Sequence, residues 1–185
     1  MAVVEDILKF NEQFVNNKGY EPYLANVLPK KKLGIVTCMD SRLIELLPQA
    51  LNIKNGDAKV IKTAGAIIRD PYDSVMKSLL VAIYQLTVEE VLIIGHHGCG
   101  MDGLHGKTVL ENAEKRGVKA STLSKSPEEL GHWLSGFESV EESVAQSVDI
   151  VRHHPLLPEN ILVHGLVISP ETGKLDVVSL DQQEV

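Results

Sequence analysis

Residues 89–100 read EEVLIIGHHGCG: two acids, an unbroken apolar run, then a glycine-rich turn holding two histidines and a cysteine. An apolar run without polar alternation is a strand buried on both faces, the habit of parallel sheets. A second short run, 33-LGIVTC-38, is β-branched and equally apolar, and a third, 59-KVIKTAG-65, also ends in a glycine turn. Helical spacing fills the intervals. Residues 41–51 (SRLIELLPQAL) are helix-like until Pro48 or Gly56, and 73–86 (DSVMKSLLVAIYQL) form the clearest amphipathic helix, with Asp70-Pro71 as its start signal. Residues 107–116 and 138–152 read as further helices separated by a Ser/Pro/Glu stretch near 121–129. Residues 4–17 carry Val4, Ile7, Leu8, Phe10 and Phe14 near a helical period. The tail, 161-ILVHGLVISPETGKLDVVSL-180, is a strand, a turn at Ser169 to Gly173, and a second strand. The expected fold is α/β: a mainly parallel central β-sheet flanked by helices, with an antiparallel C-terminal edge hairpin. No repeat or linker divides the chain, which reads as a single domain over 1–185.

Composition limits the function classes. A chain of 185 residues, 44% hydrophobic and 23% charged, has the make-up of a globular domain with a substantial core. The formal net charge of -7 argues against a general nucleic-acid binder, which needs an excess of Lys and Arg. The one dense basic run, Lys30-Lys31-Lys32, precedes a strand and reads as its solvated entry. No apolar run approaches the ~20 residues that span a bilayer, and residues 1–20 have no apolar core followed by small residues, so neither membrane insertion nor secretion is expected. Two cysteines do not suggest a disulfide scaffold. The expected location is cytoplasmic, where a cysteine pair serves a metal, catalysis or simple burial.

Ligands of an open parallel sheet sit at the carboxyl ends of its strands. Cys38 ends the first strand, His96 and Cys99 follow the third, and Ala64-Gly65-Ala66 follows the second, so both cysteines and a histidine fall where the fold can gather them. Zinc takes sulfur, imidazole nitrogen and carboxylate oxygen tetrahedrally. His96-x-x-Cys99 on a tight turn aims two side chains at one ion, with Gly95, Gly98 and Gly100 supplying backbone freedom. Cys38 and Asp40, one residue apart, face the same side in an extended chain. Taken singly, each cysteine reads as a small buried hydrophobe; taken jointly, they read as a metal site.

The pair Cys38-Met39-Asp40-Ser41-Arg42 and Gly95-His96-His97-Gly98-Cys99-Gly100 resembles the zinc motifs of the β-class carbonic anhydrases, Cys-x-Asp-x-Arg and His-x-x-Cys. Ala64-Gly65 resembles that family's Ala-Gly turn, and 172-TGKLDVV-178 its C-terminal edge hairpin, so the likeness runs over roughly residues 30 to 180 and looks like the compact prokaryotic branch. Thr63 stands where many members have Asn, and His97-Gly98 where many have Thr-Asp. The resemblance implies one Zn2+ per chain on Cys38, His96 and Cys99, a catalytic pair of Asp40 and Arg42, and Asp40 as the fourth ligand in a closed state. It implies a zinc lyase, a carbonate dehydratase, that hydrates carbon dioxide reversibly to bicarbonate and a proton by attack of zinc-bound hydroxide. It also implies a homodimer or higher homo-oligomer, with the 4–17 helix and the apolar 156-LLP-158 segment as contact candidates.

Within that reading the five residues divide their work. Two thiolates cancel the zinc charge, so the bound water is less acidic than on three histidines, and a hydrogen bond to Asp40 offsets this. Arg42 holds Asp40 bidentately, keeping it charged and off the metal. Two alternatives stand beside this one: hydrolysis of carbonyl sulfide or carbon disulfide on the same site, and a non-catalytic zinc-binding module, which has no need of an Asp40–Arg42 pair. Ser41 reads as a helix N-cap and Met39 as a packing residue. His153 and His154 suit a helix C-terminus, His164 a satisfied core position, and His132 carries no signal. His97 and His105, nearer the site, are candidates for carrying protons to solvent.

Overall fold

The structure, a computed structural model, describes residues 2–119 and 124–182. Strands β1 (Leu33–Cys38), β2 (Ala58–Thr63), β3 (Glu90–His96), β4 (Leu162–Ile168) and β5 (Leu175–Ser179) form one sheet in the order β2-β1-β3-β4-β5. β1 pairs in parallel with β2 and β3, and β3 with β4, while β4 and β5 run antiparallel. This is the mainly parallel α/β sheet with an antiparallel edge that the run pattern predicts. The helices are α1 (Val3–Asn16), α2 (Leu43–Ala50), α3 (Ser74–Leu86), α4 (Gly106–Lys115), α5 (Pro127–Leu134) and α6 (Val140–Arg152). α3 and α6 start with side-chain caps: Asp73 accepts from the Met76 N–H, and Ser139 from that of Glu142.

The central strands β1 and β3 lack polar alternation because both of their faces are covered. On one face, Val36, Val91, Ile93, Val163 and Val167 join Met76 and Leu79 of α3 and Val144 and Val148 of α6. On the other, Leu33, Ile35, Ile94 and Ile168 join Leu43 and Leu47 of α2, and both cysteines belong to this second cluster. Gly95 lets α6 approach: a Cβ there would lie 2.7 Å from Val140 and 2.8 Å from Val144. Its φ is not positive, nor is that of Gly100, so of the three glycines credited with backbone freedom only Gly98, at φ +62°, uses it.

Three local expectations change. The polar separator before residue 138 holds a further helix, α5, started by a reciprocal Ser126–Glu129 capping box with a proline in its first turn. It is two turns long and buries no residue, so it leaves little periodicity to read; residues 121–123 of that separator lie outside the described ones. Ser41 is not an N-cap: α2 begins at Leu43 after Arg42, and the carboxylate of Asp40 accepts the Arg42 N–H at 2.8 Å instead. Pro48 does not end α2, which runs on to Ala50. Among the described residues α1 is the one long helix that buries nothing, with Val3, Ile7 and Phe10 left exposed. Among the described residues no helix is long and apolar enough to cross a membrane.

Candidate metal centre

β1 and β3 are neighbours in parallel register, Thr37 opposite Ile94, so their carboxyl ends arrive side by side. Thr37 Oγ1 donates to the Ile94 carbonyl at 3.0 Å inside the core, and the His97 N–H donates to the Ile168 carbonyl at 3.1 Å. These bonds hold Cys38 and His96 in place, and the left-handed backbone at Gly98 turns the chain so that Cys99 comes back over them. The ligand atoms of Cys38, His96 and Cys99 all lie within 4.8 Å of one another, and all three residues are buried. The two sulfurs are 3.8 Å apart and both thiols are free.

This donor set fits zinc. Two sulfurs at ~2.3 Å from one tetrahedral ion stand about 3.8 Å apart, the separation found here. His96 Nδ1 lies 3.0 Å from the His97 carbonyl, which can only accept, so Nδ1 carries the hydrogen and Nε2 keeps its lone pair. That Nε2 is buried and has no hydrogen-bond partner. A buried nitrogen left this way is costly unless something binds it. The thiols are poised for the same purpose: the hydrogen bond from Cys99 holds the Cys38 thiol well below its usual range, and the Cys38 sulfur pushes Cys99 up in return. The Cys38 sulfur also raises the His96 pKa. Negative charge gathers on sulfur, where a cation neutralises it.

Beside the donors stands a carboxylate that is already occupied. Arg42 Nε lies 3.0 Å and 3.2 Å from the two oxygens of Asp40, and its Nη2 lies 2.8 Å from Oδ2. The same Nη2 donates to the Gly98 carbonyl at 2.9 Å, pinning the guanidinium to the metal-side turn. The Arg42 hydrogen bonds hold the Asp40 pKa at about 2, so the carboxylate is ionised at any ordinary pH. Sequence spacing alone gives Gly98 no such role, because the contact joins chain segments 56 residues apart.

A cavity of about 530 Å³ opens over this group, lined by Met39, Asp40, Arg42, Gly65 and Met101 among others. Met39 lies at its mouth with 66% of its surface exposed, so it does not pack in the core as its apolar character suggests. Thr63 uses its carbonyl to accept the Met39 N–H at 2.8 Å, while its hydroxyl is buried without a partner.

The remaining histidines sort by position. His97 turns away from its neighbour toward Glu141 and Asp176, at 4.0 and 3.9 Å. His105 precedes α4, and His132 lies within α5. His153 sits 2.9 Å from the Asp149 carbonyl at the end of α6, the terminal role expected of it. His154 and His164 are buried, each accepting a backbone N–H at 3.1 Å, from Leu156 and Asp181.

Comparison with known proteins points one way. The family model described as carbonic anhydrase matches residues 33–175. The Bacillus subtilis (strain 168) protein YvdA, whose name carries its carbonic anhydrase assignment as provisional, is 58% identical over 181 residues, 96% of this chain and 92% of its own. A carbon disulfide hydrolase of Acidithiobacillus thiooxidans is 32% identical over 156 residues, 78% of this chain and 76% of that one. The crystal structure of β-carbonic anhydrase isoform I from Trichomonas vaginalis superposes with a TM-score of 0.90 at 36% identity, covering 98% of this chain and 100% of that chain.

Proposed function

The chain belongs to the β-carbonic anhydrase family, and on that premise we propose that it interconverts carbon dioxide and bicarbonate with one zinc ion held by Cys38, His96 and Cys99. One observation carries the reading: three buried donors converge beside an ionised carboxylate that Arg42 keeps to itself. A structural zinc site has no use for that pair. Bound there, zinc supplies a Lewis acid that makes water nucleophilic near neutral pH.

The chain's own residues do the rest. Asp40, ionised, accepts a hydrogen bond from the attacking water and fixes the direction of its lone pair. Arg42 holds both Asp40 oxygens and keeps them from becoming metal ligands. Met39, Ala64, Gly65 and Met101 give the cavity apolar surface for a small uncharged gas.

The carbon disulfide hydrolases among the relatives support a second reading, hydrolysis of a sulfur analogue on the same site. Stopped-flow carbon dioxide hydration across pH on zinc-quantified protein, with sulfide release from carbon disulfide in parallel, separates them. Hydration supports the first reading and sulfide release alone the second; about one zinc per chain with neither activity leaves a binding module. The reading includes a single domain, a cytoplasmic location suited to two free thiols, and a homodimer in which α1 covers its exposed apolar stripe on the second copy.

A further inference from the structure

Each sulfur of the metal centre is backed by a turn. The Met101 N–H donates to Cys99 Sγ at 3.5 Å. Thr63 stands opposite Cys38 in the sheet and accepts the Met39 N–H at 2.8 Å, and the turn that follows it, left-handed at Gly65 (φ +73°), lines the same cavity as Cys38. Hydrogen bonds to sulfur draw electron density from a thiolate and so tune the metal it binds. The two turns lie far apart in sequence, and one side chain from outside the motifs joins them.

That side chain is Arg69, four residues after Gly65. Its loop is seated on α6, where the Ile68 N–H donates to Ser147 Oγ at 3.1 Å. Arg69 Nη2 donates to the carbonyls of Ser135 and Gly136 at 2.7 and 2.6 Å, and Nη1 lies 3.5 Å from the His132 carbonyl. The Ser135 and Gly136 carbonyls lie just past the end of α5, and His132 is in its last turn, where the negative end of the helix favours a cation. The segment so clamped is stapled to the Cys99 turn. Gly136 N–H donates to Leu104 O at 2.7 Å, Phe137 N–H to Met101 O at 3.1 Å, and Gly103 N–H to Phe137 O at 2.8 Å. There is no slack in the staple, since a Cβ on Gly136 would fall 1.7 Å from Met101 O. The Phe137 ring closes the circuit against Gly65, where a Cβ would lie 3.0 Å from its edge.

We propose that Arg69 is a positioning residue for the metal centre, locking together the turn behind Cys38 and the turn behind Cys99. The inference rests on the zinc reading above. A planar fork reaching three carbonyls is a task for arginine, and lysine meets it only in part.

The test compares zinc-loaded wild type with Arg69→Ala and Arg69→Lys. It reads zinc affinity by chelator competition, the thiolate-to-metal absorption of the cobalt-substituted proteins, and fold by circular dichroism. With the fold intact, Arg69→Ala binds zinc about 10–100-fold more weakly and shifts the cobalt–thiolate band, and Arg69→Lys falls between. Wild-type affinity and an unshifted band in Arg69→Ala overturn the proposal. Should that variant fail to fold, Arg69→Lys decides: a weakened affinity with a shifted band supports the proposal, and wild-type values of both overturn it. A wild type that takes up no zinc overturns the functional reading and this inference together, whereas a zinc-binding wild type with indifferent variants overturns this one alone.

Discussion

Asp40 Oδ2 stops 3.7 Å from His96 Nε2, too far for a hydrogen bond and near enough to share its metal after a small rotation. The Arg42 guanidinium is what holds Oδ2, since the Arg42 N–H reaches Oδ1 alone. Arg42→Ala therefore frees the carboxylate to take the fourth position. Hydration falls by roughly 10²-fold, the low end for a positioned group acting on a reacting proton, while zinc content stays at about one per chain. Stopped-flow rates on zinc-quantified variant check this, and wild-type turnover sinks the role given to Arg42.

The same pair fixes a pH dependence of stability. Asp40 titrates at about 2 in the folded chain, below the ~3.9 of an unfolded aspartate. A carboxylate with a depressed folded pKa contributes stability that is complete above the unfolded value and lost as pH falls through the folded one. The melting temperatures of wild type and Asp40→Asn then differ by a constant amount above about pH 5, and the gap closes as pH approaches 2. A gap that persists undiminished at pH 2 refutes the assignment.

Gly95 tests the packing beneath the site. Gly95→Ala puts a methyl 2.7 Å from Val140 and 2.8 Å from Val144, so α6 must back away from the strand that carries His96. Overpacking of this kind costs about 1–3 kcal/mol. Urea denaturation reads it as a lower midpoint at unchanged slope, and zinc affinity falls with it because His96 moves.

The stripe on α1 tests the assembly. Ile7 and Phe10 are 59% and 67% exposed, an arrangement a lone chain has no reason to keep. If the proposed dimer forms through α1, Ile7→Asp with Phe10→Asp converts it to monomer in sedimentation velocity without changing the helical signal. If the double variant sediments as wild type does, α1 is not the contact.

Short-range chemistry explains what could be read in advance. The buried strands announce themselves because β1 and β3 are covered on both faces, and Cys38, Asp40, Arg42, His96 and Cys99 stand at strand ends that a parallel sheet must gather. What stayed hidden depends on contacts between distant segments or on weak local signal. Arg69 reaches carbonyls 63 to 67 residues away, and no spacing near it betrays that reach. α5 buries nothing, so its capping box and first-turn proline are the marks it leaves. The Leu43 and Ile44 amides that a capping Ser41 side chain would serve donate instead to the backbone carbonyls of Asp40 and Ser41.

The placement of the donors on two neighbouring parallel strands carries a consequence for how the chain reaches its native state. Cys38 and Cys99 are separated by 61 residues, and a helical crossover must be completed before β1 can lie against β3. An unfolded chain offers metal only the local His96–Cys99 pair, while the full set of donors exists only once the centre of the sheet has assembled in register. A metal ion bound as proposed would favour the finished topology over the partial ones. Such an ion would proofread strand order before taking part in any reaction.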